Sequence, residues 1–199
     1  MKLGTWIAWV SNLFPNGGYY VEAGAHDGVG DSQTKALEDS GIWQGLCVEP
    51  SSAFRGLKKS RSCRVDNRCL WKENGTVDFC EVSGNQIELS GISTCFQDHW
   101  DRSQWTSIIK QVECTTLAQV LTDHNAPNII ELLCLDTEGS EYDILNIHDF
   151  DRFFFRAMAI EHNGVKTSIE RLRELLLPRY DLVENDGIQD YYVQKGFVR

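Results

Sequence analysis

The chain reads as an open α/β fold: a mostly parallel sheet with helices on both faces and an antiparallel final strand. Three observations predict it. Short apolar runs alternate with helical patterns along most of the sequence, the order that builds parallel sheets. The first run, Tyr19–Glu22, leads straight into Ala23-Gly24-Ala25-His26-Asp27-Gly28, with the spacing E-x-G-x-x-x-G. A second run ends in Glu49-Pro50, about 20 residues beyond Gly28, where nucleotide-binding α/β units place a ribose-binding acid.

The elements follow in order. Residues 1–18 precede the first strand as an N-terminal extension, with a short helix over 5–14 stopped by Pro15 and the Gly17-Gly18 turn. After the first strand, Ser32 is set to cap a helix reaching about Ser40, with Gly41 as its stop. Leu46–Glu49 is the second strand, Ser52–Ser60 the second helix and Arg64–Asp66 a short third strand. Thr76–Val82 alternates apolar and polar residues and reads as an extra or edge strand. Residues 83–111 are the least regular stretch, expected to form a lid or acceptor-binding insertion, with Trp71, Trp100 and Trp105 in or near it. Each of those rings has core packing as its plainer reading. Thr116–Asp123 is a helix with Thr115 before it, Ile129–Asp136 a strongly apolar strand, and Glu141–Ile147 a helix. Met158–Glu161 is a strand. Ser168–Leu177 sets Ile169, Leu172, Leu175 and Leu176 on one helical face. Tyr180–Glu184 and Tyr191–Gln194 form a final pair of strands about the Asp186-Gly187 turn.

The glycine loop narrows the ligand. Gly24 permits a sharp turn and Gly28 a close helix approach. A dinucleotide fingerprint needs glycine where this chain has His26, so the loop suits an adenosine ligand without a pyrophosphate. Glu49 alone is a solvated strand-end charge; paired with the loop at this spacing, it is a ribose acceptor.

Composition sets bounds. A chain of 199 residues, 42% hydrophobic and 24% charged, is most simply one globular domain, residues 1–199. A net charge of −10 argues against a nucleic-acid groove. The basic run Arg55, Lys58, Lys59, Arg61, Arg64 and Arg68 reads as a solvated helix face. Seven cysteines without a C-x-x-C pair suggest neither a zinc site nor a disulfide framework. No signal peptide or membrane-length apolar run is visible, so a cytoplasmic setting is the expectation.

Ligands of open α/β sheets bind beyond the carboxyl ends of the strands. Those ends carry His26 and Asp27, Glu49, Asp66 and Asn67, then Asp136 and Glu138, and finally Glu161, His162 and Asn163. Folding needs alone do not explain such convergence. Oxygen ligands at Asp136, Glu138, Glu161 and Asn163, with His162, suit magnesium or manganese, but their spacing is not diagnostic and no metal is assigned.

The runs Tyr20–Gly28, Ser32-Gln33-Thr34, Gly45–Pro50 and Leu135-Asp136-Thr137-Glu138-Gly139-Ser140-Glu141 together resemble the FkbM-type methyltransferases. Glu113–Leu117 and Asp190–Val193 add to the likeness, which covers roughly residues 19–195. The resemblance implies a Rossmann-like class I fold with a seven-stranded sheet, S-adenosyl-L-methionine as cofactor, and methylation of a hydroxyl on a small molecule or sugar. It implies that Glu22, Gly24, Ala25, His26, Asp27, Gly28 and Ser32 surround the methionine moiety. Glu49 and Pro50 would then meet the ribose, Asp66 or Asn67 the adenine, and Asp136 and Glu138 the cofactor and acceptor. His26 departs from the asparagine that relatives often carry.

An alcohol must lose a proton as it is methylated. His162 is the first candidate base because imidazole titrates near neutrality. Glu138 is the second, with Asp136 beside it; a carboxylate in a partly dry pocket becomes more basic. The plainer readings are a backbone-satisfied ring for His162 and helix capping for Glu138. Rival functions are nitrogen or carboxylate methylation, and a non-catalytic binding protein that keeps the fold. A nicotinamide oxidoreductase is disfavoured by the missing glycine.

Overall fold

The computed structural model describes residues 3–30, 32–84, 86–95 and 105–197. In chain order the elements are α1 (Leu3–Leu13), β1 (Gly18–Ala23), α2 (Lys35–Asp39), β2 (Trp43–Val48), α3 (Phe54–Ser60), β3 (Arg64–Asp66), β4 (Cys69–Leu70), β5 (Gly75–Val82), β6 (Gly91–Ile92), β7 (Ser107–Thr115), α4 (Leu117–Asp123), β8 (Ile129–Leu135), α5 (Glu141–Asn146), β9 (Phe154–Glu161), α6 (Lys166–Leu176), β10 (Tyr180–Asn185) and β11 (Gln189–Gln194). The main sheet has seven strands in the order β10-β11-β9-β8-β1-β2-β3. Its β3, β2, β1, β8 and β9 pair in parallel, and β11 runs antiparallel to both neighbours.

Strand alternation sorts the apolar residues onto two faces. One face carries Tyr20, Cys47, Cys134, Ala159 and Val193 against Trp6 and Val10 of α1, Leu37 of α2 and Leu57 of α3. The other carries Val21, Val48, Leu133, Ile160 and Tyr192 against α4, α5 and α6 through Leu121, Ile144 and Leu172. Both faces are covered, which explains why β8 is apolar almost throughout.

The structure departs from the sequence reading in the middle of the chain. Thr76–Val82 is an extra strand rather than an edge of the main sheet. It lies in β5 of a second sheet, ordered β4-β7-β5-β6, over a small core of Cys69, Trp71, Phe79, Ile92 and Cys114. The stretch expected to be irregular over 83–111 contains β6 and the start of β7, a nine-residue strand antiparallel to β5. Trp105 is half-buried, and Trp100 lies outside the described residues. At α4 the cap is Thr116, whose side chain accepts from Gln119 N, rather than Thr115. The helix after Ser32 begins only at Lys35.

Arg61 also differs. Far from facing solvent, its side chain is fully buried at the end of α3. It donates to Glu22 Oε2 at 3.1 Å, Ser32 Oγ at 3.0 Å, Tyr20 Oη at 2.9 Å and Thr34 Oγ1 at 2.7 Å, and also to Glu38. All seven thiols are free. No helix among the described residues is long and apolar enough to cross a membrane.

Candidate functional site

The order of the main sheet reverses between β1 and β8, and a cavity of about 660 Å³ opens there, beyond the strands' carboxyl ends. The volume lies within the range of small-molecule and cofactor sites. The floor is the loop after β1. Gly24 sits at φ +81°, and a Cβ there would lie 1.6 Å from Asp136 O, so only glycine lets β1 and β8 close at this point. Gly28, at φ +77°, does not face the cavity. It makes room for α3, since a Cβ would strike Leu57 and Arg61.

Among the described residues four other than glycine have positive φ, and three of them line the cavity: His26 at 48°, Glu138 at 56° and Asn163 at 53°. Left-handed backbone in such residues costs about 1–3 kcal/mol each and gathers at functional sites. It also accounts for histidine at position 26: asparagine, aspartate and histidine are the side chains that best tolerate this conformation.

Glu49 ends β2 and is only 6% exposed. Its Oε2 accepts His26 N at 2.8 Å and its Oε1 accepts Ser51 N at 2.7 Å, each oxygen keeping a lone pair for a ligand. Val48, Pro50, Leu70 and Phe79 continue the wall beside it as an apolar slot. Glu22 lines the cavity too, but its carboxylate is occupied: Oε1 takes Gln33 N at 2.6 Å, Oε2 takes Thr34 Oγ1 at 2.6 Å, and Ser32 and Arg61 complete the set. Ala25 and Ser32 are lining residues, whereas Asp27 turns its Oδ1 to Val29 N and Gly30 N.

Asp66 and Asn67, expected beside an adenine, have partners elsewhere. Asp66 binds Arg68 and His124, and Asn67 donates to Glu49 O at 2.8 Å; neither lines the cavity. Leu70 and Phe79 of the second sheet do line it.

His162 is likewise outside the lining, and 1% exposed. Glu161 ends β9 in the cavity wall, and His162, just beyond the strand, turns its ring away from it. Its Nδ1 accepts Gly164 N at 3.1 Å, and its Nε2 lies 3.0 Å from Asn185 Nδ2 and 3.5 Å from Asp190 Oδ1. Burial works against ionisation of Asp190. Hydrogen bonds from Arg173, His162, Asn185 and Tyr192 outweigh it and hold its carboxyl well below the usual range. His162 therefore belongs to a structural network.

The acidic wall comes from β8 and β9. Asp136, Glu138 and Glu161 bring carboxylate oxygens within 4.8 Å of one another. Burial, reinforced by Asp136, pushes the Glu161 carboxyl far above its usual range, and burial raises Asp136 too. Asn163 Nδ2 bridges toward Glu161 at 3.2 Å and Glu138 at 3.4 Å. Glu141, buried behind the turn, accepts from Thr137 N at 2.7 Å and Gly139 N at 3.2 Å; burial pushes its carboxyl up to about 7. Opposite, the side-chain amides of Gln33 and Gln189 hydrogen-bond reciprocally at 3.0 Å, joining the first loop to the last strand. Sequence reasoning did not single out this pair, Arg61 or the second-sheet wall.

The donor set fits an adenosyl sulfonium: an acid with open lone pairs beside an apolar slot, and anionic groups at the β8 end. Fold and site together define the class of S-adenosyl-L-methionine-dependent methyltransferases. Residues 22–186 match the family described as Methyltransferase FkbM domain, and the chain belongs to that family; its cofactor is S-adenosyl-L-methionine. No curated protein sequence matches the chain. Among solved structures, it is similar to the methyltransferase FkbM of Methylobacillus flagellatus KT. The TM-score is 0.56 at 13% identity, over 89% of this chain and 44% of that one, so this chain spans less than half of that protein. The N-terminal domain of human METTL16 matches with a TM-score of 0.52 at 14% identity, over 98% of this chain and 69% of that one. At these identities the likeness concerns the fold.

Proposed function

We propose that this methyltransferase domain acts on a hydroxyl of a small molecule or sugar. The observation that carries the reading is the close set of Asp136, Glu138 and Glu161 on the cavity wall. A hydroxyl is a poor nucleophile until a base takes its proton, and carboxylates at this wall can do that. When bound, S-adenosyl-L-methionine supplies a methyl group activated by its sulfonium.

In this reading Glu49 accepts hydrogen bonds from the ribose, and the apolar slot beside it receives the adenine. Glu22 acts at one remove, fixing Ser32, Gln33 and Thr34 so that the loop keeps its shape. Asp136 and Glu161 stand side by side next to Glu138 and orient the acceptor hydroxyl. Glu138 is the base, taking over the role first assigned to His162. Alignment of acceptor and methyl group, with water excluded, supplies most of the rate.

The test is labelled methyl transfer across a panel of polyols and sugars, with wild type and Glu138→Gln. The variant is expected to lose roughly 10²–10⁴-fold in turnover while its affinity for S-adenosylhomocysteine changes by less than about threefold. Full turnover in Glu138→Gln would remove it as the base. Methyl groups found only on nitrogen or carboxylate would overturn the hydroxyl reading.

A further inference from the structure

The cavity wall is charged with one sign. Seven carboxyl side chains line it, and no lysine or arginine is among the described lining residues. Glu138 and Glu161 meet the Asn163 side-chain amide, and three more of the seven are answered from within the protein. Glu22 meets Arg61, Glu49 meets two backbone N–H groups, and Asp186 accepts from Gln189 N at 3.0 Å and Tyr191 Oη at 2.7 Å. Asp136 and Glu161 lie side by side, and burial raises both carboxyls above their usual range. Glu88, exposed on the turn Ile87–Leu89, and Glu138 extend the acidic surface to the mouth.

Concave walls of low dielectric focus such a field. The cofactor's sulfonium, ammonium and carboxylate sum to one positive charge, so negative potential persists where the acceptor enters. We propose that the acceptor carries a protonated amine beside the hydroxyl that is methylated, as an amino sugar or amino alcohol does, and that phosphorylated or carboxylated acceptors are rejected. The inference rests on the hydroxyl reading above. An ammonium group held by carboxylates keeps its proton and has no lone pair, so it anchors the acceptor while the hydroxyl reacts.

The experiment is calorimetry of the S-adenosylhomocysteine-loaded protein with glucose, glucosamine, glucuronate and glucose 6-phosphate. Glucosamine is expected to bind roughly tenfold or more tightly than glucose, with no binding by the two anions, and the preference should shrink as salt rises. Equal affinity for glucose and glucosamine, absence of glucosamine binding, or binding of either anion overturns the inference. A second arm transfers labelled methyl onto glucosamine and locates it by NMR. O-methyl product supports both readings. N-methyl product refutes the hydroxyl reading and leaves the charge preference intact, so the two failures are distinguishable.

Discussion

Replacing Arg61 by alanine is expected to destabilise the fold and loosen the cofactor loop together. The guanidinium is fully buried and joins α3 to Glu22 on β1, Glu38 on α2 and the Ser32–Thr34 segment. Removing one partner of a buried ion pair leaves the other charge uncompensated, at about 3–5 kcal/mol. Against a total stability of about 5–15 kcal/mol, that is a large fraction. For a chain of this size it lowers Tm by roughly 6–20 °C. Acid supplies an internal control. Burial opposes ionisation of Glu38, but hydrogen bonds from Ser62 and Arg61 outweigh it and hold its carboxyl down to about 2. A depressed folded pKa contributes stability that is complete above the unfolded value, about 4.3, and is lost as pH falls toward about 2. The penalty of Arg61→Ala should therefore shrink across that window. Urea and thermal melts of both proteins at pH 7 and pH 3 measure this. A penalty below about 1 kcal/mol at pH 7, or one that does not change with acid, would refute the reasoning.

Other outcomes follow from the same geometry. Glu49→Ala removes the acceptor of His26 N and Ser51 N along with the ribose contact; S-adenosylhomocysteine affinity is expected to fall about tenfold to a hundredfold by calorimetry, and an unchanged affinity would remove the ribose assignment. His162→Gln is expected to cost about 1–3 kcal/mol in urea melts, with turnover per folded molecule unchanged; selective loss of turnover would return His162 to the chemistry. Glu141 has a raised folded pKa, about 7, so stability present below its unfolded pKa is lost as pH rises through 7. Glu141→Gln removes that titration while keeping an acceptor for Thr137 N, and its urea midpoint relative to wild type should rise between pH 5 and pH 8; a constant difference would count against the assignment.

The strands around the site were legible because burial on both faces leaves few polar residues, as in β8, and because glycine and acid punctuate their ends. The second sheet was not. Its long strand β7 exposes Ile108 and Ile109 and is bounded by no turn signal, and its pairing with β5 depends on contacts distant in sequence. Arg61 looked like one more basic residue of a surface run, since spacing does not reveal that α3 ends against Glu22. The orientation of His162 was not legible: it lies just beyond β9, where strand alternation no longer dictates which way a side chain turns.

The Gln33–Gln189 clasp bears on the order in which the protein becomes competent. Its halves are 156 residues apart, and β11 must insert between β9 and β10 before the amides meet. During synthesis, then, the loop at Gly24 emerges early but faces an unfinished wall until Gln189 is made. Ligand-linked stabilisation that needs this wall is therefore expected only once the last hairpin has formed. Retention of cofactor by nascent chains stalled at different lengths would thus report completion of folding rather than formation of the first loop.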